Sequence, residues 1–236
     1  MCVILPLSKK KARGSILLAD HSIYSDFAYD DAFKTMESEC DDLVIPFINY
    51  FFHKSYDRSA KIIHMRNEHF IEHSDQTAEK RITDSYLKIS QGGTLKAYHL
   101  ECESKKYDGS ILVRLFEYDT QIAIDESEYT RTSLRLDFPH TGLLILRDSR
   151  ATPREAEVVI CTPGGEVKYS IPIVCEADFT IDAIFKKRLY FLLPFYIFNH
   201  EKLLKEYDED AGKLDEFIGI QARIIDRLHR DVESLL

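Results

Sequence analysis

The chain has 236 residues, 44% of them hydrophobic and 30% charged, with 31 Lys and Arg against 40 Asp and Glu. That length and apolar content suit a domain with a sizeable core and exclude a disordered or fibrous chain. The formal charge of −9 excludes a protein that coats nucleic acid by bulk attraction, yet leaves room for a locally basic groove around an acidic metal site.

Residues 1–14 begin apolar and then run through Lys9, Lys10, Lys11 and Arg13, the reverse of a signal peptide's order, and read as a loose tail. Residues 15–180 are expected to form the core and residues 181–236 a helical C-terminal segment packed on it. A helical pattern over residues 29–39 puts Phe33 and Met36 on one face. A second helix starts at Asp41 or Asp42 and runs through Ile45, Ile48 and Phe52, with Pro46 near its first turn.

Residues 61–71 suit a short strand or turn. Alternation over residues 82–90, the turn signal Gln91-Gly92-Gly93 and a second alternating run over residues 96–105 predict a hairpin. Asp108-Gly109-Ser110 caps a helix over residues 111–126. A short apolar strand follows at 143–147, and residues 158–161 and 168–174 flank Thr162-Pro163-Gly164-Gly165 as another hairpin. One long helix over residues 182–207, bent or broken near Pro194, and a last amphipathic helix over 213–236 complete an α/β or α+β chain.

Five cysteines without a CxxC pair argue against a disulfide framework or a zinc knuckle and favour a reducing cytoplasm. The most apolar late stretch, residues 189–198, is too short to span a bilayer, so no membrane partner is expected. His64, His69 and His73 show no metal-ligand pattern and are read as surface residues.

The chemistry concentrates on the second hairpin strand. Because side chains alternate across a strand, His99, Glu101, Glu103 and Lys105 are expected on one face, with Leu100 and Cys102 toward the core. Asp84 on the preceding strand comes within cross-strand reach if the register allows it. Asp84 and Glu101, with the backbone carbonyl of Cys102, would form the hard-oxygen site that Mg2+ or Mn2+ prefers. On composition alone, a solvated polar strand face is the simpler account of the same residues. In the next helix Arg114, Tyr118 and Gln121 share one side, opposite Leu112, Leu115, Phe116 and Ile122.

Several segments occur in an order that carries a resemblance: Asp30-Asp31-Ala32-Phe33-Lys34, Ile82-Thr83-Asp84, the run from Tyr98 to Ser104, the run from Arg114 to Asp119, and the run from Lys187 to Phe195. Together they resemble the transposase-associated, recombination-promoting nucleases of the PD-(D/E)XK superfamily, over residues 24–206. The resemblance implies a restriction-endonuclease-like mixed sheet flanked by helices, and Mg2+-dependent hydrolysis of phosphodiester bonds in DNA. Asp84 then matches the motif's aspartate and Glu101 its second acid.

At the position of the motif's lysine the chain has Glu103, which removes the ammonium that would activate water and offset phosphate charge. Three readings stand: Lys105 or Lys34 substitutes, Glu103 adds a carboxylate to the metal site, or catalysis is lost. The resemblance also implies Asp30 near the metal, Arg114 near a scissile phosphate, and Tyr118 or Gln121 beside the site. A non-catalytic DNA-binding or assembly protein that keeps the nuclease fold is the alternative. An apolar stripe of Ile218, Ile225, Leu228, Val232 and Leu235 suits packing on the core or a homodimer.

Overall fold

A computed structural model describes residues 32–65, 68–72, 78–82, 84–146, 151–199 and 211–233. The expected N-terminal tail and Asp30 lie outside them. Helix α1 (32–39) buries Phe33, and α2 (Asp41–Phe51) buries Val44, Phe47, Ile48 and Phe51, spaced three and four apart as a helix facing a core requires. Pro46 stands inside α2, which continues through it.

The strands are β1 (Lys61–His64), β2 (Glu68–Glu72), β3 (Ala78–Ile82), β4 (Ser85–Gln91), β5 (Thr94–Glu103), β6 (Glu128–Tyr129), β7 (Leu134–Arg135), β8 (His140–Ile145), β9 (Glu155–Thr162) and β10 (Gly165–Cys175). Six of them form a mixed sheet in the order β1-β4-β5-β8-β10-β9, while β2–β3 and β6–β7 are separate ribbons. Within the sheet β5–β8 and β8–β10 pair parallel, and the other neighbours pair antiparallel. The strand expected over residues 82–90 is divided: β3 ends at Ile82 and β4 begins at Ser85, which leaves Asp84 at the mouth of β4.

Helices cover both faces. On one side Leu87, Ile89, Tyr98, Leu100 and Cys102 of β4 and β5 meet α1, α2 and the C-terminal helices. Phe47 of α2 stacks on Phe191 there, with ring centroids 4.4 Å apart. On the other side α3 (Ile111–Asp125) sets Ile111 and Leu115 over Leu143, Ile145, Ile171, Ile173 and Cys175. The side chains of β5 alternate between these layers, so Leu100 faces the first and Glu101 the second.

The long helix expected at 182–207, bent or broken near Pro194, is interrupted earlier, at Arg188, and its residues 200–207 lie outside the described ones. Helix α4 (Ile181–Lys187) ends where Arg188 adopts a left-handed φ of 57° and donates its N–H back to Phe185. A 3-10 turn (Tyr190–Leu192) leads into α5 (Leu193–Asn199), whose second residue is Pro194, where a missing N–H leaves no helical bond unmade.

The last helix, α6 (Ala211–Glu233), divides the expected stripe. Leu228 packs on the core beside the buried Ile224, whereas Ile218 and Ile225 are exposed; the Val232 side chain and Leu235 lie outside the described residues. Tyr190 donates to Asp231 at 2.7 Å, and Arg227 pairs with Asp182 at 2.6 Å, which ties α6 down. Among the described residues no helix is long and apolar enough to cross a membrane.

Candidate functional site

The β4–β5 register pairs Ser85 with Leu100, so the next step outward sets Asp84 opposite Glu101. Two hydrogen bonds hold them there. The Asp84 N–H donates to Glu101 Oε1 at 3.0 Å, and Asp84 Oδ2 accepts the Cys102 N–H at 2.9 Å. Since the two main-chain groups of a strand residue leave on the same side, the Cys102 carbonyl faces that same edge. Asp84, Glu101 and the Cys102 carbonyl thus converge beyond the end of β4.

This end of the hairpin is not a solvated polar face. Glu101 is 2% exposed and His99 0%, because α3 lies over them. From α3, Arg114 Nη2 reaches Glu101 Oε2 at 3.4 Å and Glu103 Oε2 at 3.2 Å. Burial works against the guanidinium charge, but the carboxylates of Glu101 and Glu103 outweigh it and raise the pKa above the ordinary arginine value. Arg114 Nε is buried and makes no hydrogen bond among the described residues.

A second layer of polar contacts runs beneath Glu101. His99 Nε2 lies 3.2 Å from Glu101 Oε1, and its Nδ1 lies 2.7 Å from Asp119 Oδ1. Asp119 is itself fully buried and accepts hydrogen bonds from Thr141 Oγ1 at 2.6 Å and Tyr169 OH at 3.2 Å. Burial disfavours the imidazolium, but Asp119 and Glu101 together push the His99 pKa up to about 9. The residues that hold Asp119, Thr141 and Tyr169, also line a groove of about 920 Å3. Its cations are largely answered in place: Lys88 pairs with Glu126 at 2.6 Å and Arg135 with Asp137 at 3.1 Å.

The other expected site residues divide. Glu103 is at the site, where its Oε1 accepts the Lys105 N–H at 2.9 Å. The Lys105 side chain does not continue the face of Glu101, because β5 ends at Glu103 and the exposed Lys105 lies on a bend beyond it. Lys34 sits on α1, in the helix layer of the opposite face, and among the described residues no hydrogen bond or ion pair joins it to Glu101. Tyr118 stands edge-on to the His99 ring at 6.0 Å. Gln121 turns along its own helix to Asp125, at 2.7 Å, instead of joining Glu101.

His64 is no lone surface residue: its Nδ1 is 3.2 Å from Glu37 and its Nε2 2.8 Å from Asp41. Glu37 is the acid of α1 that meets the core, 4% exposed, one turn after Phe33. Nothing is described of the His69 side chain or of His73.

Comparison with protein-family models, curated proteins and solved structures finds no match.

Among the described residues, no group of three or more His, Cys, Asp and Glu side chains is gathered around a cation position. The oxygens of Glu101 and Glu103 point instead at Arg114 and at main-chain N–H groups. The donor chemistry nonetheless fits a hard divalent ion: two carboxylates and a carbonyl on one strand edge, with the His99 ring bonded to Glu101 Oε1 behind them.

Proposed function

We propose that this chain is a divalent-metal-dependent DNA endonuclease of the transposase-associated PD-(D/E)XK type, with a restriction-endonuclease-like core and a cytoplasmic role in recombination of mobile DNA. The observation that carries the reading is the pair of bonds, Asp84 N–H to Glu101 Oε1 and Cys102 N–H to Asp84 Oδ2, that sets Asp84 beside Glu101 at one end of an antiparallel hairpin. The mixed sheet, with helices on both faces, is the architecture that the nuclease resemblance implies.

Asp84, Glu101 and the Cys102 carbonyl would hold Mg2+ or Mn2+. When bound, such an ion lowers the pKa of a coordinated water and stabilises charge on a phosphodiester oxygen. The chain's own groups do the rest. His99 holds Oε1 of Glu101, and Arg114, partly exposed at the mouth, would exchange Glu103 for a phosphate oxygen through Nη2. Among the described residues of α6, exposed Ile218 and Ile225 would be apolar contacts for a second copy.

The test is nicking of supercoiled plasmid with Mg2+ or Mn2+. Cleavage that disappears in Asp84→Ala and Glu101→Ala is expected. A purified protein inert toward supercoiled, linear and single-stranded DNA with either ion overturns the reading.

One observation favours the alternative, a non-catalytic DNA-binding or assembly protein on this scaffold. Glu103 stands where an ammonium is needed, and Arg114 is engaged by both Glu101 and Glu103. That reading expects weak Mn2+ affinity and DNA binding that survives Asp84→Ala.

A further inference from the structure

The Asp119–His99 pair is a substantial investment of buried charge that the metal ligands themselves do not explain. Two carboxylates and an imidazole lie at 0–2% exposure between α3, which carries Asp119, and the sheet. A hydrophobic substitute of similar volume is often as stable as a buried ion pair, so stability alone gives no reason for the arrangement. Its geometry gives one. The His99 ring bridges the two carboxylates, with Nδ1 2.7 Å from Asp119 Oδ1 and Nε2 3.2 Å from Glu101 Oε1. The ring is thereby fixed, with Asp119 on one edge and Glu101 on the other.

Asp119 cannot swing to follow Glu101. Its Oδ1 also takes Thr141 from β8, and its Oδ2 takes Tyr169 from β10. On the far side, Glu101 Oε1 receives both His99 and the Asp84 N–H, which sets the rotation of the carboxylate.

We propose that Asp119 is a positioning residue which, acting through His99, holds the Glu101 carboxylate in the orientation that binds the divalent ion. Affinity at the β4–β5 edge is thereby set by β8, β10 and α3, none of which supplies a ligand. This rests on the metal-site reading above, and the outer residues of such sites typically change metal affinity 10- to 100-fold when removed.

Isothermal calorimetry with Mn2+ alone separates the possibilities, with circular dichroism confirming that each variant is folded at the titration temperature. Asp119→Asn keeps the shape of the side chain and removes its charge. It is expected to weaken Mn2+ binding about 10- to 100-fold, while Tyr169→Phe, which deletes one donor to Asp119, weakens it less. A purely structural network would lower the melting temperature and leave the affinity of the folded protein unchanged. Wild-type affinity in folded Asp119→Asn therefore overturns this proposal while leaving the metal site standing. If wild type binds no Mn2+, or binds it as well after Glu101→Ala, the metal-site reading fails and this one with it. Should Asp119→Asn not fold, Tyr169→Phe decides: weaker binding supports the proposal and unchanged binding overturns it.

Discussion

Gly142 of β8 lies directly under the ring of Phe51 on α2: a Cβ at Gly142 would stand 2.4 Å from Phe51 Cε1 and 2.9 Å from Cδ1. Phe51 is buried and touches Phe47 and Phe52, so its ring has little room to retreat. Gly142→Ala is expected to cost about 1–3 kcal/mol by overpacking. Urea unfolding reads this as a lower midpoint at unchanged slope. A variant as stable as wild type would mean that α2 and the sheet are not held this closely.

Arg114 offers a different prediction, because on the proposed reading its ion pairs with Glu101 and Glu103 compete with a cation at Glu101 and with a phosphate at the mouth. Arg114→Gln is expected to tighten Mn2+ binding while weakening DNA binding and reducing the slope of log affinity against log salt by about 1. Titrations of Mn2+ and of DNA at several salt concentrations check both halves. A salt slope that does not change removes Arg114 from the phosphate contacts.

Acidity acts on stability with a definite sign. His99 holds its proton up to about pH 9 in the folded chain against 6.5 ordinarily. Burial opposes the His64 charge, but Asp41 and Glu37 raise its pKa; burial itself raises that of Glu37. Each group binds its proton more tightly folded than unfolded, so its contribution is present below the unfolded pKa and is lost as pH rises through the folded one. The His99 contribution is lost between pH 6.5 and about 9. Thermal melts across that interval should show a falling melting temperature, and His99→Gln should flatten the fall. A wild-type melting temperature that climbs over the interval contradicts the assignment.

The attachment of α6 gives a fourth prediction. Tyr190→Phe removes the bond to Asp231 and keeps the ring against Phe185, at an expected cost of about 1 kcal/mol. Amide exchange should accelerate along α6 and leave β5 and β8 unaffected. Uniform acceleration would show instead that α6 unfolds only with the whole domain.

Much of the scaffold was legible because local signals agree with one another. Alternation on both sides of Gly92-Gly93 marks the β4–β5 hairpin, and Asp108-Gly109-Ser110 marks where α3 begins, although Ser110 makes no side-chain cap bond and its N–H and hydroxyl donate to Asp108 instead. The break at Arg188 was not legible, since a non-glycine residue enters the left-handed region only under tertiary constraint. Asp84 and Glu101 could be picked out on the strand pattern and the resemblance. Alternation shows which side chains share a face, but not whether a helix will cover it, so His99 and Glu101 were expected on a polar surface.

A signal for the missed pair does exist. Asp119 falls on the stripe of Leu115 and Ile122, just as Glu37 falls one turn after Phe33, and a lone acid on an apolar stripe requires a buried partner. Lys105 misled for the opposite reason: the period of two was carried past the residue where the strand ends.

The two glycines of the hairpin turn, at φ 59° and 77°, have a further consequence. A two-residue turn with both central residues left-handed permits one strand alignment, and a shift of one residue would send Glu101 to the opposite face, among Leu100 and Cys102. Glu101 lies eight residues along β5 from Gly93, roughly 26 Å at strand spacing. Whether Asp84 and Glu101 ever meet is therefore decided at the far tip of the hairpin, so an insertion there would disable the site without touching a single one of its groups.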